Sequence, residues 1–196
     1  PPVEDSGDTT NPDAPGDGTD APGDGTGDDP SVAPTLNIVR GTKKDDTLGG
    51  LDGPDKILGL KGNDRLTGND GDDILKGSAG NDKIKGGDGD DLLNGGTGSD
   101  VLVGGNGNDT LIAGKAGNKP DKLNAGSGED VFQLHKKGDA KLLKFDVEDT
   151  IVVKGVNANQ LELEEAKNNT EIGYQGNTIA VVVKASISDV SDALGL

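Results

Sequence analysis

The 196-residue chain has no cysteine and a single histidine, His135. Together these exclude a thiolate or imidazole site for zinc or copper, and with them a cysteine nucleophile. There is no run of 18 or more apolar residues, so no segment reads as a transmembrane helix. G-x-S-x-G, H-E-x-x-H and G-x-x-x-x-G-K-[ST] are all missing, which leaves acyl transfer, zinc proteolysis and nucleotide binding without their residues. No N-terminal signal peptide is visible, and the chain reads as a fragment or a processed product. The absence of cysteine is compatible with either redox compartment.

What the chain has is period. Between Gly41 and Gln133 a version of G-G-x-G-x-D, followed by a residue, an apolar residue and another residue, occurs ten times, almost always at a spacing of nine. The aspartates are Asp46, Asp55, Asp64, Asp73, Asp82, Asp91, Asp100, Asp109, Asp121 and Asp130. Two residues after each comes Leu48, Ile57, Leu66, Leu75, Ile84, Leu93, Leu102, Leu111, Leu123 or Phe132. Flexible Gly/Asp-rich linkers carry no such phased hydrophobes. The glycine three residues after the opening one (Gly53, Gly62, Gly71, Gly80, Gly89, Gly98, Gly107) sits where a turn needs φ > 0 or close backbone access.

Each repeat is therefore a turn followed by a strand of about three residues, with the apolar side chain inward and its neighbours outward. Such a strand cannot stand alone, so turns must stack. Two repeats make one coil, and ten make about five coils. One aliphatic residue per repeat is a thin core against ordering costs of about 1 to 2 kcal/mol per residue. The turns offer a remedy. Aspartate carboxylates and freed carbonyls form an all-oxygen shell suited to a hard cation with six to eight ligands at about 2.3 to 2.6 Å, calcium rather than magnesium.

These residues resemble the RTX proteins, whose nonapeptide builds a calcium-binding parallel β-roll. The resemblance covers Gly41 to Gln133 and implies an all-β fold: a right-handed parallel β-roll, a solenoid of nonapeptide repeats. It implies several Ca²⁺ ions, each between turns stacked one coil apart on the same edge. Carried over, the pairs are Asp55 with Asp73, Asp64 with Asp82, Asp73 with Asp91, Asp82 with Asp100, and Asp91 with Asp109. Departures fall at the ends. Lys44 replaces a turn glycine, Ala113 and Ala125 replace opening glycines, and the ninth repeat runs twelve residues from Ala113 to Asn124.

Three regions are expected: a disordered acidic linker over 1–36, the roll over 37–133, and a β-rich cap over 134–196. The net charge of −17 divides among 1–34, 35–133 and the remainder as −9 (0 minus 9), −5 (12 minus 17) and −3 (7 minus 10). In the cap, Lys141–Phe145, Thr150–Val153, Gln160–Leu163, Glu171–Tyr174 and Thr178–Lys184 read as strands and Ser188–Leu194 as a helical turn. Asp146, Glu148 and Asp149 read as a turn. The resemblance implies that this cap follows the roll and carries a type I secretion signal read by an ABC transporter.

The functional expectation is an extracellular calcium-binding module, without catalysis of its own, that folds on binding Ca²⁺ after secretion. Alternatives are the C-terminal module of a larger secreted protease, lipase or polysaccharide-modifying enzyme, or a module binding a cell surface or glycan. The acidic balance argues against nucleic acid. Lys56, Lys76, Lys83 and Lys85 take outward positions and read as solvated faces that resist edge pairing. The outward series Thr47, Arg65, Lys83, Val101, Lys122 is too irregular for ice binding. An outward aliphatic row, Leu58, Ile74, Leu92, Ile112 and Val131, is expected to be covered near the C-terminal coils by part of 134–196.

Overall fold

A computed structural model of the protein describes residues 35–135, 140–145, 148–156, 160, 162–165, 169–174, 177–183 and 187–195. The acidic linker lies, up to residue 34, outside the described residues.

The repeats wind into two facing parallel sheets. One takes every other strand: β1 (Asn37–Arg40), β3 (Asp55–Lys61), β5 (Ile74–Ala79), β7 (Leu92–Gly98), β9 (Thr110–Ile112), β12 (Val131–His135) and β14 (Thr150–Lys154), in that order. The short β10 (Lys115–Ala116) joins this sheet by pairing with β7. The second sheet holds β2 (Thr47–Gly49), β4 (Arg65–Asp70), β6 (Lys83–Asp88), β8 (Val101–Asn106), β11 (Asp121–Ser127) and β13 (Ala140–Lys144). It continues through β17 (Asn177–Val183), parallel to β13, and then the antiparallel β16 (Asn169–Tyr174) and β15 (Glu162–Glu165). Helix α1 (Ile187–Leu194) follows.

Pairing falls 18 residues apart, Ile57 on Leu75 and Leu66 on Ile84, which is two repeats per coil as the periodicity requires. Leu66, Leu75, Leu93, Leu102, Leu111 and Leu123 are fully buried and stack into one core, which closes with Phe132, Leu142 and Ile151. Among the described residues, no helix is long and apolar enough to cross a membrane.

Two expectations change. The middle strands span six or seven residues, not three, because each stays hydrogen-bonded to the next coil as it enters the turn: Leu60 pairs with Ser78 and Asn69 with Gly87. Neither sheet ends at Gln133. Strands β13 and β14 continue the parallel stack, adding to the expected five coils. Cover of the outward aliphatic row is expected only near the C-terminal coils, and β5 lies away from them. Ile74 stays 38% exposed, while Val156, Ala193 and Leu194 pack at the C-terminal end of the core beside β14.

Candidate metal sites in the stacked turns

Each turn places its aspartate inward at the start of a strand. Asp55, Asp64, Asp73, Asp82, Asp91, Asp100, Asp109, Asp121 and Asp130 are all buried, an arrangement costly for carboxylates unless something compensates. Both oxygens of Asp55 are accounted for, Oδ1 accepting from the Asn37 amide at 2.6 Å and Oδ2 from the Leu51 N–H at 2.8 Å; in the coils that follow, one oxygen of each is. Oδ1 of Asp73 accepts the backbone N–H of Asp55 at 2.7 Å, Oδ1 of Asp82 that of Asp64 at 2.8 Å, and Oδ1 of Asp91 that of Asp73 at 2.9 Å. The ladder continues from Asp82 to Asp100 and from Asp91 to Asp109. It thus brings together every pair carried over from the family resemblance.

The other oxygen is the informative one. Oδ2 of Asp64, Asp73, Asp82, Asp91, Asp100 and Asp109 is buried with no hydrogen-bond partner. Each of these atoms lies over the Cα of the glycine that opens its own repeat, in the space a Cβ would fill. A carbonyl from the next coil faces the same space at several turns. A Cβ on Gly59 would meet Asp64 Oδ2 and lie 3.0 Å from Gly77 O, and one on Gly68 would meet Asp73 Oδ2 and lie 2.8 Å from Gly86 O. Orphaned carboxylate oxygens, with backbone carbonyls facing the same glycine-lined cradle, fit a hard cation. Among the described residues no cluster of three or more His, Cys, Asp or Glu side chains forms. A cation here would therefore complete its shell from backbone carbonyls.

The electrostatics agree. Burial raises the Asp82 carboxyl to about 6, opposed by the N–H of Asp64 and reinforced by the charges of Asp100 and Asp64. Burial likewise lifts Asp91 and Asp109 to about 7; the N–H of Asp73 opposes the first while Asp109 and Asp73 add to it, and the N–H groups of Asp91 and Gly105 oppose the second while Asp130 and Asp90 add to it. Asp73 and Asp100 move upward for the same leading reason. These carboxylates crowd one another in the absence of a positive charge.

The turn glycines are held as tightly. Gly53, Gly62, Gly71, Gly80, Gly89, Gly98 and Gly107 all have φ between 90° and 143°. A Cβ on Gly80 would run into the carbonyl of Gly62, and one on Gly98 into that of Gly80.

The ends differ in both directions. Asp46 is only half-buried, and its carboxylate accepts Thr42 N–H at 2.6 Å. Asp121 and Asp130 join the buried ladder at 21-residue spacing, accepting from Asp100 and Asp109 at 2.8 Å, so the long ninth repeat does not interrupt it. Ala113 and Ala125, however, place buried methyl groups at the opening position. Two features escaped sequence reasoning. Asp149, read as part of a turn, is buried and accepts the N–H of Asp130 at 3.2 Å. The signal was there: Asp149 precedes the buried Ile151 by two residues, as in every repeat. At most repeats the residue before the aspartate also joins an outer ladder of opposite polarity, which Pro54 and Pro120 do not enter. Asn63 N–H donates to Asp45, Asn81 to Asn63, Ser99 to Asn81, Asp90 to Asp72 and Asn108 to Asp90.

The model of the RTX calcium-binding nonapeptide repeat (four copies) matches residues 37–66, 49–84, 67–102, 85–118 and 104–133. The chain belongs to the RTX family. Among solved structures, it is similar to the extracellular lipase LipA from Serratia marcescens at 15% identity and TM-score 0.36. That match covers 82% of this chain and 40% of the lipase. It is also similar to the AlgE6R3 subunit of the Azotobacter vinelandii mannuronan C5-epimerase at 23% identity and TM-score 0.33, covering 73% and 70%. No curated protein matches the chain. The RTX repeats carry calcium binding; which oxygens hold each ion is a separate question.

Proposed function

We propose that this RTX chain is a secreted module, without catalysis of its own, whose roll folds when its turns fill with calcium outside the cell. The carrying observation is the set of six buried Oδ2 atoms with no hydrogen-bond partner, each over a glycine cradle. Bound calcium supplies the positive charge and the demand for six to eight oxygens that this shell answers. Asp55, Asp64, Asp73, Asp82, Asp91, Asp100 and Asp109 hold it, with turn carbonyls of the stacked glycines. Asp46 and Asp121 stand towards the ends of one column and Asp130 is followed in the other by Asp149; all three lie beside a half-buried turn or an alanine-filled cradle.

Without the ion, stacked carboxylates repel and resist desolvation, while one inward aliphatic per repeat opposes the entropy of ordering. The chain is then unfolded and threadable, as export through a type I transporter requires. Where calcium is millimolar, binding to the folded state alone contributes RT ln(1 + [L]/Kd) per site, about 2.7 kcal/mol at a hundredfold excess. Strands β13 and β14 offer a continuous template on which coils add from the C-terminal side, since a coil has nothing to stack on until its neighbour exists.

Far-UV circular dichroism of the full chain in EDTA against millimolar calcium is the test. Strand signal is expected only with calcium, and identical spectra would sink the reading.

A further inference from the structure

The outer face of the second sheet is cationic in a way that stability does not explain. Parallel register places Arg65 beside Lys83, Lys83 beside Val101, Val101 beside Lys122, and Lys122 beside Lys141, in one row along the roll axis. The adjacent row runs Thr67, Lys85, Val103, Asn124, Lys144. All six basic side chains are exposed, and from β4 to β13 neither row contains an aspartate or glutamate; beyond Lys141 the first row passes through Val181 to Glu171 and Glu164, which ends the cationic stretch at β13. Neighbouring strands lie about 4.8 Å apart, and like charges directly opposite one another are destabilising. The first sheet avoids this arrangement, because its matching rows run Lys56, Ile74, Leu92 and Leu58, Lys76, Asn94.

Protection of a sheet edge does not account for the lysines. Strands β4, β6, β8 and β11 are interior, each paired on both sides. A groove of about 260 Å³ sits among the basic side chains, lined by Arg65, Thr67, Lys83, Lys85, Val101 and Val103. In a chain of net charge −17, this is a flat cationic track with a shallow apolar floor.

We propose that this face binds a linear, carboxylate-bearing polysaccharide lying along the roll axis. The two rows are two residues apart on β4, β6, β8 and β11, about 7 Å, and three apart on β13 where the register shifts, a band that suits a single extended chain. Its carboxylates would meet Arg65 and Lys83 at one end and Lys122, Lys141 and Lys144 at the other, while sugar C–H faces rest on Val101 and Val103. A nucleic-acid duplex is broader than this band. Its phosphates would fall against the flanking Asp70 and Asp88, which pair with each other beside the second row. The inference does not depend on calcium driving folding, since it needs only the folded face.

The test is isothermal titration of the full chain in excess calcium with a short oligogalacturonate. Its methyl ester, a DNA oligonucleotide and phosphatidylserine vesicles are titrated alongside. Saturable binding of the acid form is expected, weakened by salt and about tenfold weaker in the triple variant Arg65→Gln, Lys83→Gln, Lys122→Gln. The first-sheet variant Lys56→Gln, Lys76→Gln should bind as the parent does. Absence of saturable binding, equal binding of the ester, equal loss in both variants, or tighter binding to DNA or vesicles would each overturn the proposal. Circular dichroism of the same samples with and without EDTA reports separately on the calcium reading.

Discussion

Gly77→Ala isolates one cation cradle from the fold around it. Gly77 opens the repeat that closes on Asp82 and does not adopt a left-handed φ, so its backbone admits alanine. The new methyl carbon would sit 2.7 Å from Asp82 Cγ and 2.8 Å from Asp82 Cβ, and against Oδ2. These nearest contacts are all with one side chain, which must swing out of the cradle, whereas the strand ladder can stay. Ala113 and Ala125 show that the opening position accepts a buried methyl at 2% and 0% exposure. The expected result is a roll that still folds in calcium, binds two ions fewer by equilibrium dialysis because Asp82 is shared by the Asp64 and Asp100 pairs, and loses about 2.7 kcal/mol of urea stability per lost site at a hundredfold calcium excess over Kd. The difference should shrink as calcium is lowered. An unchanged ion count together with an unchanged calcium dependence of the urea midpoint would refute the assignment of the Oδ2 cradle as a ligand site.

Gly80→Ala should behave oppositely. Its φ of 135° adds about 1 to 3 kcal/mol of strain, and its Cβ would collide with the carbonyl of Gly62, so no calcium concentration should restore the parent's circular dichroism. The raised carboxyls of Asp82, Asp91 and Asp109 give a pH dependence of definite sign. In EDTA, the folded-state stability they contribute is fully present below the ordinary aspartate range and is lost as pH rises through about 6 to 7. Strand signal in EDTA should therefore grow on acidification from pH 8 to pH 5; a signal that falls over that range is the contrary result. Calcium binding near pH 6 should release protons, visible as a buffer-dependent heat in titration calorimetry. Deleting residues 140–196 removes the strands that pair with β11 and β12. The calcium midpoint for folding should rise, with partial rescue by an unrelated folded domain fused at the same end; a deletion with unchanged midpoint and steepness refutes templating.

Much of this protein is legible without coordinates because its information is local and phased. The spacing of nine determined which aspartates and which aliphatics turn inward, since strand alternation leaves no other choice once the turn ends at Asp. Two repeats per coil then follow, and with them the pairing of Asp82 with Asp64 and Asp100. The extent of the strands was a tertiary matter. Pairs such as Leu60 with Ser78 exist only because another coil supplies hydrogen-bond partners to residues that, within their own repeat, look like turn. So was the end of the stack. Beyond Gln133 the glycines thin out and spacing drifts to 19, yet Asp149 keeps its place because β14 pairs with β12. The cationic track shows the same division. Arg65, Lys83 and Lys122 share a face by arithmetic, but only the pairing of β11 with β13 carries the row across a change in composition to Lys141 and Lys144. Periodicity determines what a repeat must bury, whereas charge on a sheet's outer face is constrained by no repeat and acquires meaning only from its neighbours across the ladder.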